Sequence, residues 1–237
     1  MKRKKFSFPV IFFIIFSIFL FVNSACRAQE KTLPGGFVYV ETVIPDIRVE
    51  LRYYSTYNLV GDRIDGYLAP RCILTRPAAE ALKKVQAELK PFGLGLKIYD
   101  AYRPQQAVDH ILRWSADRSD LRMKAEFYPG LEKKDLFRKG YFARRSGHSR
   151  GSAVDLTLVP LNGKSPDDII DMGSPFDFLD PISRPDSPLI TPEQRSHRML
   201  LQVMMKKHGF RPHSYEWWHF RLEGEPFPDT YFDFPVQ

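Results

Sequence analysis

The stretch that most restricts this chain is "SGHSRGSAVDLTLV", Ser146–Val159. Its second half alternates in the manner of a strand. Asp155 and Thr157 share one face with Ala153, and Val154, Leu156 and Leu158 share the other. A carboxylate in the middle of such a run demands a partner, because a buried charge without one is costly. His148 stands seven residues before it. Two answers fit the pair: ligands of one metal ion, or a buried hydrogen-bonded couple.

The elements around this strand follow from periodicity and punctuation. "TRPAAEALKKVQAELKPFG" reads as a helix with Thr75 as candidate cap, Pro77 near its start, and Leu82, Val85 and Leu89 on one face. "LGLKIYDAYRP" reads as a strand over Leu94–Tyr99 running into a turn. "PQQAVDHILRWSAD" is a second helix with Val108, Ile111 and Leu112 inward. In "SPLITPEQRSHRMLLQVMMKKHGF", Thr191 and Gln194 make a capping box, and Met199, Leu200, Val203 and Met204 make the inward stripe. "SYEWWHFRLE" reads as a final strand. Helices and strands mix without regular βαβ alternation, so the expected class is α+β, a single domain with a central antiparallel sheet flanked by helices.

The first part of the chain has a different purpose. Lys2, Arg3, Lys4 and Lys5 precede the uncharged run Phe6–Val22, and "NSACRAQE" follows. Basic, apolar and small segments in that order make a secretory signal. Either Cys26 is lipidated behind a loose lipoprotein box, or the signal is cut after Ala28, or it stays as an uncleaved anchor. Residues 1–28 are therefore set apart from a domain over 29–237. The expected location is the periplasm or cell envelope, with membrane contact only through this signal or its lipid. Residues 1–28 also hold five positive charges and no acids, so the formal +7 of the chain falls to +2 from Gln29 onward. That balance gives no reason to expect nucleic acid. The local basic run "FRKGYFARR" reads as a solvated face. Cys26 and Cys72 are the only cysteines, so an exported domain here relies on its core or on a metal rather than on disulfides.

Six histidines are present. His110, His197 and His208 read as structural or surface groups, and His213 lies unassigned in the turn before the last strand. His219 differs, standing in "YEWWHF" three residues after Glu216 and among aromatics. An apolar strand with one satisfied histidine is the plainer account of that segment alone. Taken with Ser146–Val159, it supplies what a zinc hydrolase needs: His148, Asp155 and His219 as ligands, and Glu216 as a base. Residues three apart on a regular strand point to opposite faces, so Glu216 and His219 can meet one metal only if the strand bulges, twists or ends between them. Arg103, in "YDAYRP", is either a buried partner of Asp100 or the cation for a developing oxyanion.

These residues are recognisable together. "SGHSRGSAVDLTL" resembles the SxHxxGxAxD motif of metallopeptidases that share the fold of zinc D-alanyl-D-alanine carboxypeptidases and the hedgehog signalling domain, and "EWWHF" resembles their ExxH partner. Within that group "LRYYSTYNLVG", "DAYRPQQAV", "DMGSPFDF" and "EWWHFRL" are similar, in order, to the D-alanyl-D-alanine dipeptidases, the VanX-like enzymes. The resemblance implies one zinc per chain on His148, Asp155 and His219, with Glu216 as proton shuttle and Arg103 on the tetrahedral intermediate. It implies that Ser146 holds the substrate carboxylate with Tyr67 lining that end, and that Tyr53 and Asp177, with Asp155, hold the free ammonium. The substrate would be a small D,D-dipeptide. One departure stands out: "LDPISRPDSP" replaces an expected Ser-His pair and is placed to reshape the cavity mouth. The export signal implies salvage or turnover of dipeptide released from the wall, since an exported enzyme cannot reach a cytoplasmic precursor pool. Two other functions use the same fold: a D,D-carboxypeptidase on longer wall peptides, and a metal-stabilised binding module without catalysis.

Overall fold

The computed structural model describes residues 32–165 and 168–237. The proposed signal, residues 1–28, lies outside the described residues. Leu33–Gln237 form one compact unit, built from seven strands and six α-helices among the described residues.

Two sheets organise it. In the smaller, β1 (Phe37–Tyr39) pairs antiparallel with β3 (Ile73–Thr75). The larger has the order β2-β4-β5-β7-β6, with β2 (Arg48–Val49), β4 (Leu94–Asp100), β5 (Ala153–Pro160), β6 (Phe210–Pro212) and β7 (His219–Leu222). The expected antiparallel sheet holds for β4, β5, β7 and β6, but β2 joins β4 in parallel, so the sheet is mixed. β5 is at its centre and is buried on both faces up to Val159. That explains its near-continuous apolar sequence, with the one carboxylate as exception.

The helices are α1 (Val40–Val43), α2 (Arg76–Leu89), α3 (Gln105–Ala116), α4 (Lys124–Phe127), α5 (Lys133–Arg138) and α6 (Pro192–Lys207). On α2, Ala78, Leu82, Val85 and Leu89 are fully buried at the expected spacing. Thr75 occupies the N-cap position but does not cap: its Oγ1 is 2.7 Å from Ser152 Oγ, tying β3 to the loop before β5. On α3 the buried face is Ala107, Val108, Ile111 and Trp114, with Leu112 at its margin.

The capping box of α6 is present on Thr191 and Gln194, but only half of the expected inward stripe, Leu200 and Met204, packs against the core. Met199 and Val203 are 58% and 57% exposed, while Arg198, Leu201 and Met205 are buried. A charged residue fixes the helix rotation. Arg198 donates from Nε to Met172 O at 2.6 Å and from a terminal nitrogen to Ile182 O and Arg184 O at 2.9 and 2.6 Å. Those three carbonyls satisfy a guanidinium that would otherwise be costly to bury.

"SYEWWHFRLE" is also only partly strand, because β7 begins at His219. Glu216 lies in the preceding turn, whose Trp217 N–H donates to Ser183 O at 3.0 Å. The strand thus starts where the Glu216–His219 geometry required an irregularity. "LDPISRPDSP" supports this turn from behind through Ser183, rather than lining the cavity mouth.

The rotation of α6 gives a direct check. Leu201→Ala should lower unfolding free energy by about 2–5 kcal/mol, and Met199→Ala should stay within about 0.5 kcal/mol. Denaturant titration distinguishes them, and the reverse ranking would restore the Met199 stripe.

Candidate metal centre

The centre is assembled from a short helical turn and two adjacent strands. Gly147–Arg150 form a 3-10 turn whose N-cap, Ser146, accepts the His148 N–H on Oγ at 3.2 Å. The turn ends at Gly151 with φ 76°, and a Cβ built there would lie 2.2 Å from the Phe37 ring, so only glycine fits. From this turn His148 Nδ1 reaches Ala101 O at 2.7 Å. A carbonyl cannot donate, so Nδ1 carries the proton and Nε2 presents a lone pair.

Asp155 on β5 stands directly opposite His219 on β7. His148 Nε2 lies 3.0 Å from His219 Nδ1 and 3.3 Å from Asp155 Oδ2, and His219 Nδ1 lies 2.9 Å from Asp155 Oδ1. His219 Nδ1 can donate one hydrogen bond at most, yet it faces two acceptors. Three potential ligand atoms lie within 4.8 Å of one another, a grouping that could hold a cation. Two imidazoles and a carboxylate suit zinc with an open position. Burial opposes the charge on Asp155, and the two imidazoles together overcome it, holding its carboxyl well below the usual range. Burial also lowers His219, against the pull of Asp155.

All but one of the other expected residues line a cavity of about 530 Å³ together with these three. Glu216 Oε2 is 3.9 Å from His219 Nδ1, and burial, followed by the charges of Asp155 and Asp177, pushes its carboxyl well up. Arg103 is the buried partner of Asp100, and it also lines the cavity. Its Nε donates to Asp100 Oδ2 at 2.9 Å, while a terminal nitrogen lies 3.6 Å from Asp155 Oδ2 and its guanidinium sits over the Tyr53 ring. Tyr53 donates to Asp177 Oδ2 at 2.9 Å. Asp177 has φ 59°, the one non-glycine residue with positive φ among the described residues. Such strain collects at functional sites. Burial, then Asp155, pushes its carboxyl up to about 7. Ser146 lines the cavity. Tyr67 does not: it is set one layer back, donating to Asp100 Oδ1 at 2.5 Å. It therefore braces the Asp100–Arg103 pair from outside the cavity instead of lining it as expected.

His110, His197 and His208 make the structural contacts expected of them, to the Asp65 N–H, Asp171 O and Glu88. His213 was the unassigned one. It lines the cavity, its ring centroid 5.2 Å from that of His219, and burial lowers it to about 4. The signal for it was the short β6–β7 hairpin, which sets position 213 opposite 219 through His213 N–H to His219 O. The basic run read as a solvated face also contributes: Phe137, Tyr141 and Arg145 line the cavity.

A family model described as D-Ala-D-Ala dipeptidase matches residues 34–237. The chain belongs to that family. It is 41% identical over 204 residues to a D-alanyl-D-alanine dipeptidase of Streptomyces coelicolor, covering 86% of this chain and all of the relative. The Enterococcus faecalis relative of the same name is 39% identical over the same shares, and that of Escherichia coli is 36% identical over 78% of this chain and 83% of its own. Among solved structures, VanYB in complex with D-alanine-D-alanine overlaps with TM-score 0.39 and 15% identity, covering 67% of this chain and 76% of that one. The LdcB LD-carboxypeptidase overlaps with TM-score 0.44 and 18% identity, covering 83% and 72%. Family membership does not rest on these partial overlaps.

Two outcomes follow for this member of the family. His219→Ala should abolish tight zinc binding, measured by metal analysis after dialysis, and should lower thermal stability because an ion held by His148, Asp155 and His219 would tie the 3-10 turn to β5 and β7. In the metal-free protein, Asp177 is raised from 3.8 to about 7. The stability it contributes is full below the lower value and is lost as pH rises through the upper one. His213, lowered from 6.5 to about 4, has the opposite sign and loses its contribution as pH falls. Asp177→Asn should therefore flatten the loss of stability between about pH 4 and 7 relative to wild type. An unchanged curve from urea unfolding would contradict the raised carboxyl.

Proposed function

We propose that the protein is an exported zinc-dependent D-alanyl-D-alanine dipeptidase, acting in the bacterial envelope on dipeptide released from the wall. The observation that carries this reading is that one cavity collects the His148–Asp155–His219 donor set, Glu216, Arg103 and Asp177. Membership of the dipeptidase family supports the substrate, and the basic, apolar and small N-terminal segments support export.

Zinc, when bound by these three residues, supplies Lewis acidity and makes hydroxide accessible near neutral pH. The remaining steps belong to the chain. Asp177, accepting from Tyr53, offers a buried carboxylate to the substrate ammonium. Ser146 keeps its hydroxyl proton free for the substrate carboxylate, since its Oγ accepts from His148 N–H. Glu216 takes the proton of the attacking water and gives it to the leaving amine. A carboxyl raised by burial is a stronger base than an exposed one and suits that task. Arg103 is held by Asp100 on one side and presents its remaining donors to the oxygen on which negative charge develops. Tyr67 and Asp100 keep that guanidinium from swinging away.

Purified protein assayed with D-alanyl-D-alanine, L-alanyl-L-alanine and a D-alanyl-D-alanine-ended pentapeptide, with and without chelator, tests the reading. Chelator-sensitive cleavage of the D,D-dipeptide alone is expected. Pentapeptide cleavage would make it a carboxypeptidase, and stoichiometric zinc without any cleavage would make it a binding module. Glu216→Ala should retain zinc and lose at least about 100-fold in kcat. Arg103→Ala should lose about 100-fold or more, mainly in kcat, as for a missing oxyanion donor. An effect confined to KM would instead make Arg103 a ground-state anchor.

A further inference from the structure

Two of the three residues of the candidate metal centre, Asp155 and His219, occupy one transverse row of the sheet, and the next row on the same face is cationic. Asp155 pairs with His219, and two positions on, Ala153 pairs with Arg221 and Arg221 with Arg211. Side chains two apart on a strand share a face, about 7 Å from row to row. Arg221 and Arg211 therefore flank the His219 row, and both line the same cavity. Arginines directly opposite each other on antiparallel strands repel, so this pair works against the sheet. Arg145, from the basic run before His148, also lines the cavity and packs its guanidinium over the Tyr231 ring.

The neighbouring carboxylate does not neutralise this row. Glu225 is committed to Arg150, which donates to it at 3.0 and 2.9 Å, and approaches Arg221 Nε only at 3.9 Å. No ion pair to Arg145 or Arg211 occurs among the described residues. The row also lies at a definite end of the site. The Cβ position of Gly147, next to Ser146, is 3.9 Å from Arg221 Cδ and 3.5 Å from an Arg150 terminal nitrogen. It is thus on the side of Ser146, where the proposed function puts the leaving residue of the substrate. One α-carboxylate is saturated by Ser146 and a single bidentate guanidinium. Two further cations remain, in a cavity of about 530 Å³, a volume that holds ligands larger than two alanines.

We infer that Arg145, Arg211 and Arg221 form a subsite for a second anionic group on the leaving residue, so that D,D-dipeptides ending in an acidic residue are preferred substrates. This rests on the dipeptidase reading above and extends it to side-chain specificity. The test compares kcat/KM of the zinc-loaded full chain on D-alanyl-D-glutamate and on its neutral isostere D-alanyl-D-glutamine, with D-alanyl-D-alanine run alongside. The acidic peptide should lead by at least about tenfold, as expected for a charge-assisted contact. The lead should appear in KM, shrink as salt is raised, and fall toward parity in Arg211→Gln and Arg221→Gln. Parity in the wild type, or a lead that both variants keep, overturns the subsite. Failure to cleave D-alanyl-D-alanine would instead sink the dipeptidase reading. Calorimetric binding of free D-glutamate against D-glutamine then still decides the subsite: tighter D-glutamate binding lost in the variants upholds it, and equal binding removes it.

Discussion

Everything at this site depends on keeping one carboxylate, Asp155, ionised in the middle of a buried strand. Its residue is 2% exposed, and β5 brings it there because Val154, Leu156 and Leu158 fill the opposite face. Desolvation alone would protonate it. Two imidazoles reverse that, each oriented by something outside the site: His148 by the Ala101 carbonyl, and His219 by the strand register that sets it opposite Asp155. The ligand set is thus preformed by backbone pairing, and its side chains have little freedom to lose when a cation arrives.

The same register creates a conflict. β4 and β5 shift register between Ile98 and Asp100, and Asp100 then pairs directly with Asp155. Two carboxylates opposite each other destabilise a sheet. Arg103 lies between them, 2.8 Å from Asp100 Oδ2 and 3.6 Å from Asp155 Oδ2, and Tyr67 donates to the other Asp100 oxygen. The pairing of Arg103 with Asp100 therefore fixes one edge of the guanidinium. A guanidinium held on one edge keeps its other edge toward the cavity.

Local patterns were readable in the sequence where one interaction decided them: the α2 face, the α6 capping box, the alternation of β5, and the need for a break between Glu216 and His219. They failed where a distant partner decided. Met199 and Val203 have helical spacing, but Arg198 turns α6 by finding carbonyls on the Met172–Arg184 segment, which no periodicity in α6 reports. Thr75 has the identity of a cap and bonds Ser152 instead. Tyr67 and His213 are the same lesson in opposite directions. Tyr67 is drawn behind the site by Asp100, and His213 is brought into it by a hairpin whose pairing was not evident from either strand alone.

The charge distribution gives these placements a common logic. Around the metal centre, Asp100, Asp155, Asp177 and Glu216 face Arg103. Fully ionised, that group is short of positive charge, and the raised carboxyls of Asp177 and Glu216 are its response: desolvation and the neighbouring Asp155 charge make them hold protons. A divalent cation and one ammonium would match the deficit. A ligand bringing only one of the two leaves a buried carboxylate uncompensated, which is costly. On the proposed function, a peptide whose amino end is extended has an amide in place of the ammonium and would leave Asp177 unmatched, so charge balance as well as space would select for a free amino terminus.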